Sequence, residues 1–196
     1  MNKINLTDEN TITSVGLDLS LTGTGMVILS DGRIVQQHLI KSKPVGSKPI
    51  DELKRILEIV HEIRNQLTGT MVHIAVIENL AFGVRNATSL TQLAALNYFV
   101  RQLFACPGNG LGYNVPFVLV APTSLKKFIT GNGAAKKDEM LLATFKRYGV
   151  TILDNNECDA YGLAQVGLAL LGGNSKETTQ LQEEVINLLK KQYENK

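Results

Sequence analysis

The chain is short of the features that would assign it to several broad classes. It has only two cysteines, Cys106 and Cys158, with no Cys-x-x-Cys spacing, which argues against a disulfide framework and a thiolate metal site. Both are expected to be reduced thiols in a cytoplasmic protein. No apolar run approaches the ~20 residues needed to span a bilayer. The first thirteen residues are polar and carry no apolar core, so no secretory signal is expected there. There is no internal repeat and no low-complexity stretch. The formal net charge is only +2, which permits an anionic partner without requiring one. What is present is a 196-residue chain with 44% hydrophobic residues, enough for one sizeable core. We expect a domain over residues 1–173 and a polar C-terminal helical tail over 174–196.

The patterning predicts the elements. Thr13–Leu17 and Met26–Leu29 are apolar strands separated by a Gly23-Thr24-Gly25 turn. Ser30-Asp31-Gly32 predicts a tight hairpin into a third strand, Ile34–Ile40. Helical spacing of Ile50, Leu53, Ile56, Leu57, Val60, Ile63 and Leu67 predicts a helix from Asp51 to Leu67. Further strands are expected at Met71–Ile77 and Val115–Val120, with a helix at Ala87–Phe104 between them. Thr123 or Ser124 is expected to cap a short helix through Phe128. Helices then follow over Lys136–Tyr148, from Asn155 or Asn156 to about Leu171, and over Lys176–Asn195, whose thin apolar stripe is Leu181, Val185, Leu188 and Leu189. A three-strand meander followed by crossover units implies an α/β fold, a mixed five-stranded sheet flanked by helices, with the first and fourth strands adjacent at its centre. This order resembles the ribonuclease H-like architecture.

Two acids interrupt this apolar pattern. Asp18 follows Val15-Gly16-Leu17, and Glu78 ends Ile74-Ala75-Val76-Ile77. A third, Asp159, opens the late helix Asn156-Glu157-Cys158-Asp159-Ala160-Tyr161-Gly162-Leu163-Ala164. Buried carboxylates need compensation. Three of them, from separate segments, suggest a divalent cation, Mg²⁺ with Mn²⁺ as a substitute, since hard cations prefer oxygen ligands. Two such ions would clamp a phosphodiester between an attacking water and a leaving oxygen. His38, His61 and His73 have no ligand partner at suitable spacing and are expected to be structural.

Four segments, in order, resemble the RuvC family of Holliday-junction resolvases, in particular its divergent phage and bacterial branch. They are Gly16-Leu17-Asp18-Leu19-Ser20-Leu21-Thr22-Gly23-Thr24-Gly25, Ile77-Glu78, Ala121-Pro122 through Lys126 with Thr130-Gly131-Asn132-Gly133-Ala134-Ala135-Lys136-Lys137, and Glu157 through Ala164. The resemblance implies a metal-dependent endonuclease that cuts four-way DNA junctions by paired symmetric nicks and works as a homodimer. It puts Asp18, Glu78 and Asp159 on the metals. The family's fourth ligand lies three residues before the last Asp, where this chain has Asn156. An amide oxygen can coordinate Mg²⁺ but adds no charge, so adjacent Glu157 is the preferred fourth acid, with Asp154 as a further candidate. Lys126 and Lys137 match DNA-contacting positions, and Lys127 and Lys136 extend that patch. Phe82 matches an aromatic that stacks on bases at the junction centre, and Arg85 is placed to hold a nearby phosphate. The interface candidates are the helix Ala87–Phe104 and the C-terminal helix.

Two other readings compete. Asn156 motivates a junction-binding protein that has lost cleavage, against which three buried acids argue. The Asp18 segment also superficially resembles the phosphate hairpin of actin-like and sugar-kinase proteins. Such proteins need a second domain and a second glycine-rich hairpin, and this sequence shows neither.

Overall fold

A computed structural model describes residues 11–80, 87–106, 108, 110–173 and 177–194. Three strands, β1 (Thr13–Asp18), β2 (Gly23–Ser30) and β3 (Arg33–Lys41), form an antiparallel meander. Helix α1 (Pro49–Leu67) crosses to β4 (Ile74–Glu78), and α2 (Ala87–Ala105) crosses to β5 (Phe117–Val120). Both crossovers return parallel strands, so the five-stranded sheet has the order β3-β2-β1-β4-β5. Four helices follow: α3 (Pro122–Thr130), α4 (Lys137–Tyr148), α5 (Asn155–Leu170) and α6 (Gln180–Glu194). Among the described residues no helix is long and apolar enough to cross a membrane.

The two-residue period of a strand assigns each side chain to a face. Val15, Leu17, Met26, Ile28, Ala75 and Ile77 pack with α1 and α2. Val27, Leu29, Ile74, Val76, Val118 and Val120 pack with α3 to α6. By the same alternation Ser14, Gly16 and Asp18 face α5, and so does Glu78 two residues beyond Val76. Helix α5 is seated without room to spare. A Cβ on Gly16 would lie 2.0 Å from the Ala160 carbonyl oxygen, and one on Gly167 would lie 2.0 Å from Ser14 Oγ. Glycine on both surfaces is what lets helix and sheet approach this closely.

Several local expectations change. Gly23-Thr24-Gly25 is the start of β2 and not a turn. The turn is the segment before it, closed by Thr24 Oγ1, which donates to the Ser20 carbonyl at 2.7 Å and accepts from Ser20 N–H at 3.1 Å. The Asp31-Gly32 hairpin has positive φ at both residues, 48° and 79°. Met71 is exposed and β4 begins only at Ile74. Val115 N–H is used by the Phe104 carbonyl, which delays β5 to Phe117. Pro122 takes the first turn of α3 after Ala121, so neither Thr123 nor Ser124 is its cap. Helix α1 buries Arg55, Ile56, Ile59, Ile63 and Leu67, while Ile50, Leu53 and Leu57 remain exposed.

The segment expected as a C-terminal tail docks on the domain. Val185, Ile186 and Leu189 of α6 are buried in the α3–α6 core, whereas Leu181 and Leu188 are largely exposed. Gln182 is buried too. Its amide nitrogen donates to the Phe128 carbonyl at 2.9 Å, and its oxygen accepts from Arg147 Nη2 at 2.6 Å and Thr179 N–H at 3.1 Å.

Candidate active site

Strands β1 and β4 are parallel neighbours, paired as far as Leu17 with Ile77. One residue further, Asp18 and Glu78 leave the sheet side by side at its carboxyl edge. Asp18 is only 8% exposed. The two carboxyl groups are close enough to interact directly, which favours one proton on the pair. Burial, and then the Asp18 charge, push the Glu78 carboxyl up to about 9. Burial also raises Asp18, opposed by the Glu78 hydrogen bond and the Lys137 charge, and reinforced by Asp154. Asp159 on α5 faces the pair, and burial followed by the Asp18 charge pushes it up to about 6. Lys126 on α3 lowers both Glu78 and Asp159, and Lys137 at the start of α4 lowers both Asp18 and Asp159. Five side chains from five elements therefore share one electrostatic site.

The donor set suits a hard divalent cation. Three partly or fully buried carboxyl groups converge, and the two that interact directly repel when both are ionised. Among the described residues none of the three forms an ion pair. Among those residues no three His, Cys, Asp or Glu side chains are closed up to metal-ligating spacing. Asp18 and Glu78 touch, and Asp159 acts on them through space.

The other expected residues divide. Asp154 caps α5, its Oδ1 accepting from Asn156 N–H at 2.8 Å and Glu157 N–H at 3.2 Å. It takes the capping role expected of Asn155 or Asn156, and its charge still reaches Asp18. Glu157 lies two residues before Asp159 in α5, about 200° away around the helix. The face that carries Asp159 toward the sheet thus turns Glu157 away, against the preference for it as a fourth acid. Asn156 does share the Asp159 face, and its Nδ2 donates to the Gly23 carbonyl at 2.7 Å. Lys127 pairs with Glu184 of α6 at 2.6 Å, both side chains partly exposed, whereas Lys126 and Lys137 act on the acids. Lys136 is exposed just before α4, its backbone N–H bound to Glu139 at 2.7 Å. Phe82 and Arg85 lie outside the described residues. His38 and His61 make local hydrogen bonds, to Gln36 and Arg64, and His73 Nδ1 accepts from Thr13 N–H of β1 at 3.0 Å.

Two supporting residues carried little signal in the sequence. Asn97 of α2 is fully buried and donates from Nδ2 to the Glu78 backbone carbonyl at 3.3 Å. A lone amide on an otherwise apolar face was its only mark. Arg55 of α1 is buried and binds the Leu21 carbonyl and, at 2.9 Å, Ser42 Oγ. It braces the turn that follows Asp18, and nothing in the α1 periodicity distinguishes it from a solvated arginine.

Fold and site together define a ribonuclease H-like sheet with an acidic centre at the carboxyl ends of β1 and β4. No protein-family profile matches the sequence. The chain is 27% identical over 135 residues to a crossover junction endodeoxyribonuclease RuvC of Prochlorococcus marinus strain MIT 9303, covering 67% of this chain and 80% of that protein. It is 26% identical over 161 residues to the protein of the same name from another strain of that organism, covering 79% of this chain and 96% of that protein. Among solved structures it superposes on Thermus thermophilus RuvC in complex with Holliday junction substrate with a TM-score of 0.65, at 20% identity over 83% of this chain and 97% of that one. In sequence and in fold the chain is RuvC-like.

Proposed function

We propose that the protein is a metal-dependent, structure-selective endonuclease that cuts four-way DNA junctions by symmetric paired nicks, in recombination, repair or phage DNA processing. The observation that carries this reading is the convergence of Asp18 and Glu78, at the carboxyl ends of neighbouring parallel strands, with Asp159 of α5, within a RuvC-like fold. Asp18, Glu78 and Asp159 would hold Mg²⁺, or Mn²⁺ in its place, as two ions. Bound there, the ions supply an activated water and stabilisation of the leaving oxygen. The protein's own part is electrostatic and positional. Ligation requires the Asp18–Glu78 pair to be fully ionised, which their burial opposes. Lys126 and Lys137 offset the charge of the phosphodiester brought to the acids, and Lys136 extends their reach along the backbone. The positions of Phe82, for stacking on an opened base, and Arg85, for a phosphate, belong to the same reading.

Paired symmetric cuts call for a two-fold dimer. Helix α6 buries Val185, Ile186 and Leu189 inside the domain and leaves only Leu181 and Leu188 of its apolar stripe outside, which favours α2 together with α1. Ile50, Leu53 and Leu57 stand exposed on α1, and a cavity of about 270 Å³ between Leu57, Val60 and Phe99 offers a place for a partner's side chain. A cytoplasmic setting completes the reading, and the free thiols of exposed Cys106 and buried Cys158 are compatible with it.

The test is a labelled synthetic four-way junction against a matched linear duplex, with Mg²⁺, with Mn²⁺ and with chelator. Metal-dependent paired nicks confined to the junction support the reading. Tight junction binding with no cut in either metal moves it to a binding protein without cleavage.

A further inference from the structure

We propose that Asn156 is a positioning residue that clamps the first turn of α5 onto the β1–β2 hairpin, and is not a ligand of the metal centre. This rests on the reading of Asp18, Glu78 and Asp159 as that centre. The amide faces the Gly23 carbonyl at 2.7 Å, and two oxygens would repel at that distance. The group pointing at Gly23 is therefore the NH₂. The backbone of the same residue is equally engaged. Its N–H is bound by the Asp154 cap at 2.8 Å, and its carbonyl lies where a Cβ on Gly25 would come within 2.1 Å.

The clamp acts on the site through register. Gly25 is paired across the sheet with Asp18, so Asn156 is fastened to the strand segment opposite the first carboxylate. Asp159 follows one helical turn later on the same face. Holding Asn156 against Gly23 thus sets the rotation of α5 that turns Asp159 toward Asp18. An ionised carboxylate at position 156 only accepts hydrogen bonds, so it could not make this contact and would set an oxygen against the Gly23 carbonyl. The departure from the family's acid becomes intelligible: this chain uses the position to hold the site and leaves ligation to three acids.

The experiment compares wild type with Asn156→Asp and Asn156→Ala. Melting temperatures are measured in EDTA, Mg²⁺ binding by titration of the protein alone, and junction cleavage under steady state. Both variants are expected to melt about 1–6 °C lower in EDTA, the loss of one part-buried hydrogen bond in a domain this size. Asn156→Asp is expected to bind Mg²⁺ no more tightly than wild type, and Asn156→Ala to lose kcat with KM near wild type. An unchanged melting temperature for Asn156→Ala overturns the clamp. A Mg²⁺ midpoint tighter by about tenfold in Asn156→Asp, equivalent to about 1.4 kcal/mol, overturns the exclusion of this residue from ligation. If the variants do not fold, hydrogen exchange of the Asn156 side-chain amide in metal-free wild type decides. Slowed exchange of one proton supports the clamp, and exchange at the rate of a solvated amide overturns it. The melting and exchange results hold whether or not the protein cuts junctions, so failure of the endonuclease reading shows separately as absence of nicks.

Discussion

Asp18 and Glu78 stand side by side on neighbouring parallel strands, one residue beyond the last paired positions, Leu17 and Ile77. Two ionised acids repel, and here burial raises both so that a proton on the pair is favoured. The same arrangement that is costly without a cation makes a strong oxygen site for one.

Asp18→Asn is expected to lower junction cleavage by about 10²–10³-fold or more, as removal of a charge from a metal-ion centre should. Junction binding in chelator should be unchanged or tighter, because one charge repelling phosphate is gone. Cleavage of the labelled junction and a mobility-shift titration check the two halves. Normal cutting by this variant would remove Asp18 from the site.

In chelator, stability should fall as pH rises. Glu78 and Asp159 have folded values near 9 and 6, above those of an unfolded carboxyl. The folded chain therefore holds these protons more tightly than the unfolded chain, and proton binding favours the fold. The contribution is fully present below about pH 4, near the unfolded carboxyl values. It is lost as pH rises through about 6 and then about 9. Melting curves between pH 5 and pH 9, on the order of four pH units, test this, and Glu78→Gln should flatten the dependence. A melting temperature that climbs with pH would mean that the acids are not buried together.

Lys137→Ala should weaken junction binding and reduce the slope of log affinity against log salt by about 0.9, the loss of one phosphate contact. Lys127→Ala should leave that slope alone, because its ammonium is already held by Glu184 at 2.6 Å. Fluorescence titrations at several salt concentrations compare the two. Equal effects would put Lys127 back on the DNA face.

Gly16→Ala should destabilise the protein by about 3 kcal/mol or more, since overpacking a rigid contact is among the costlier single changes. The added methyl would meet the backbone of α5 at 2.0 Å from the Ala160 oxygen and 2.4 Å from the Ala164 nitrogen, neither of which can swing aside. A drop in melting temperature of about 6–12 °C is expected. A variant as stable as wild type would show that α5 can lift off the sheet.

Much of the fold is legible in the sequence because its signals are local. The Asp-Gly hairpin, the Val- and Ile-rich strands and the helical spacing of α1 each depend on neighbours within a few residues. Sequence and structure part where a pattern has two physical meanings. Ile50, Leu53 and Leu57 continue the apolar spacing of α1 yet stay exposed, because the helix rotates to bury Ile59 and Arg55 instead. The glycines of Gly23-Thr24-Gly25 suggest a turn, but they serve the close approach of α5 to a strand.

The sequence by itself determined that Asp18 and Glu78 are anomalous acids in apolar strands. From the order of elements it also placed the first and fourth strands side by side, while Asp18's place at the very end of its strand, level with Glu78, came only from the structure. The sequence could not decide which other charged groups join them. Asp159, Asn156 and Glu157 are equally close along the chain, and only the seating of α5 on Gly16 and Gly25 chooses the first two for the sheet-facing side. Lys126 and Lys127 are adjacent, yet α6 takes one of them into an ion pair and leaves the other to the acids. Such choices depend on how whole helices rotate and pack, and the energy that settles them comes from contacts between segments far apart in sequence.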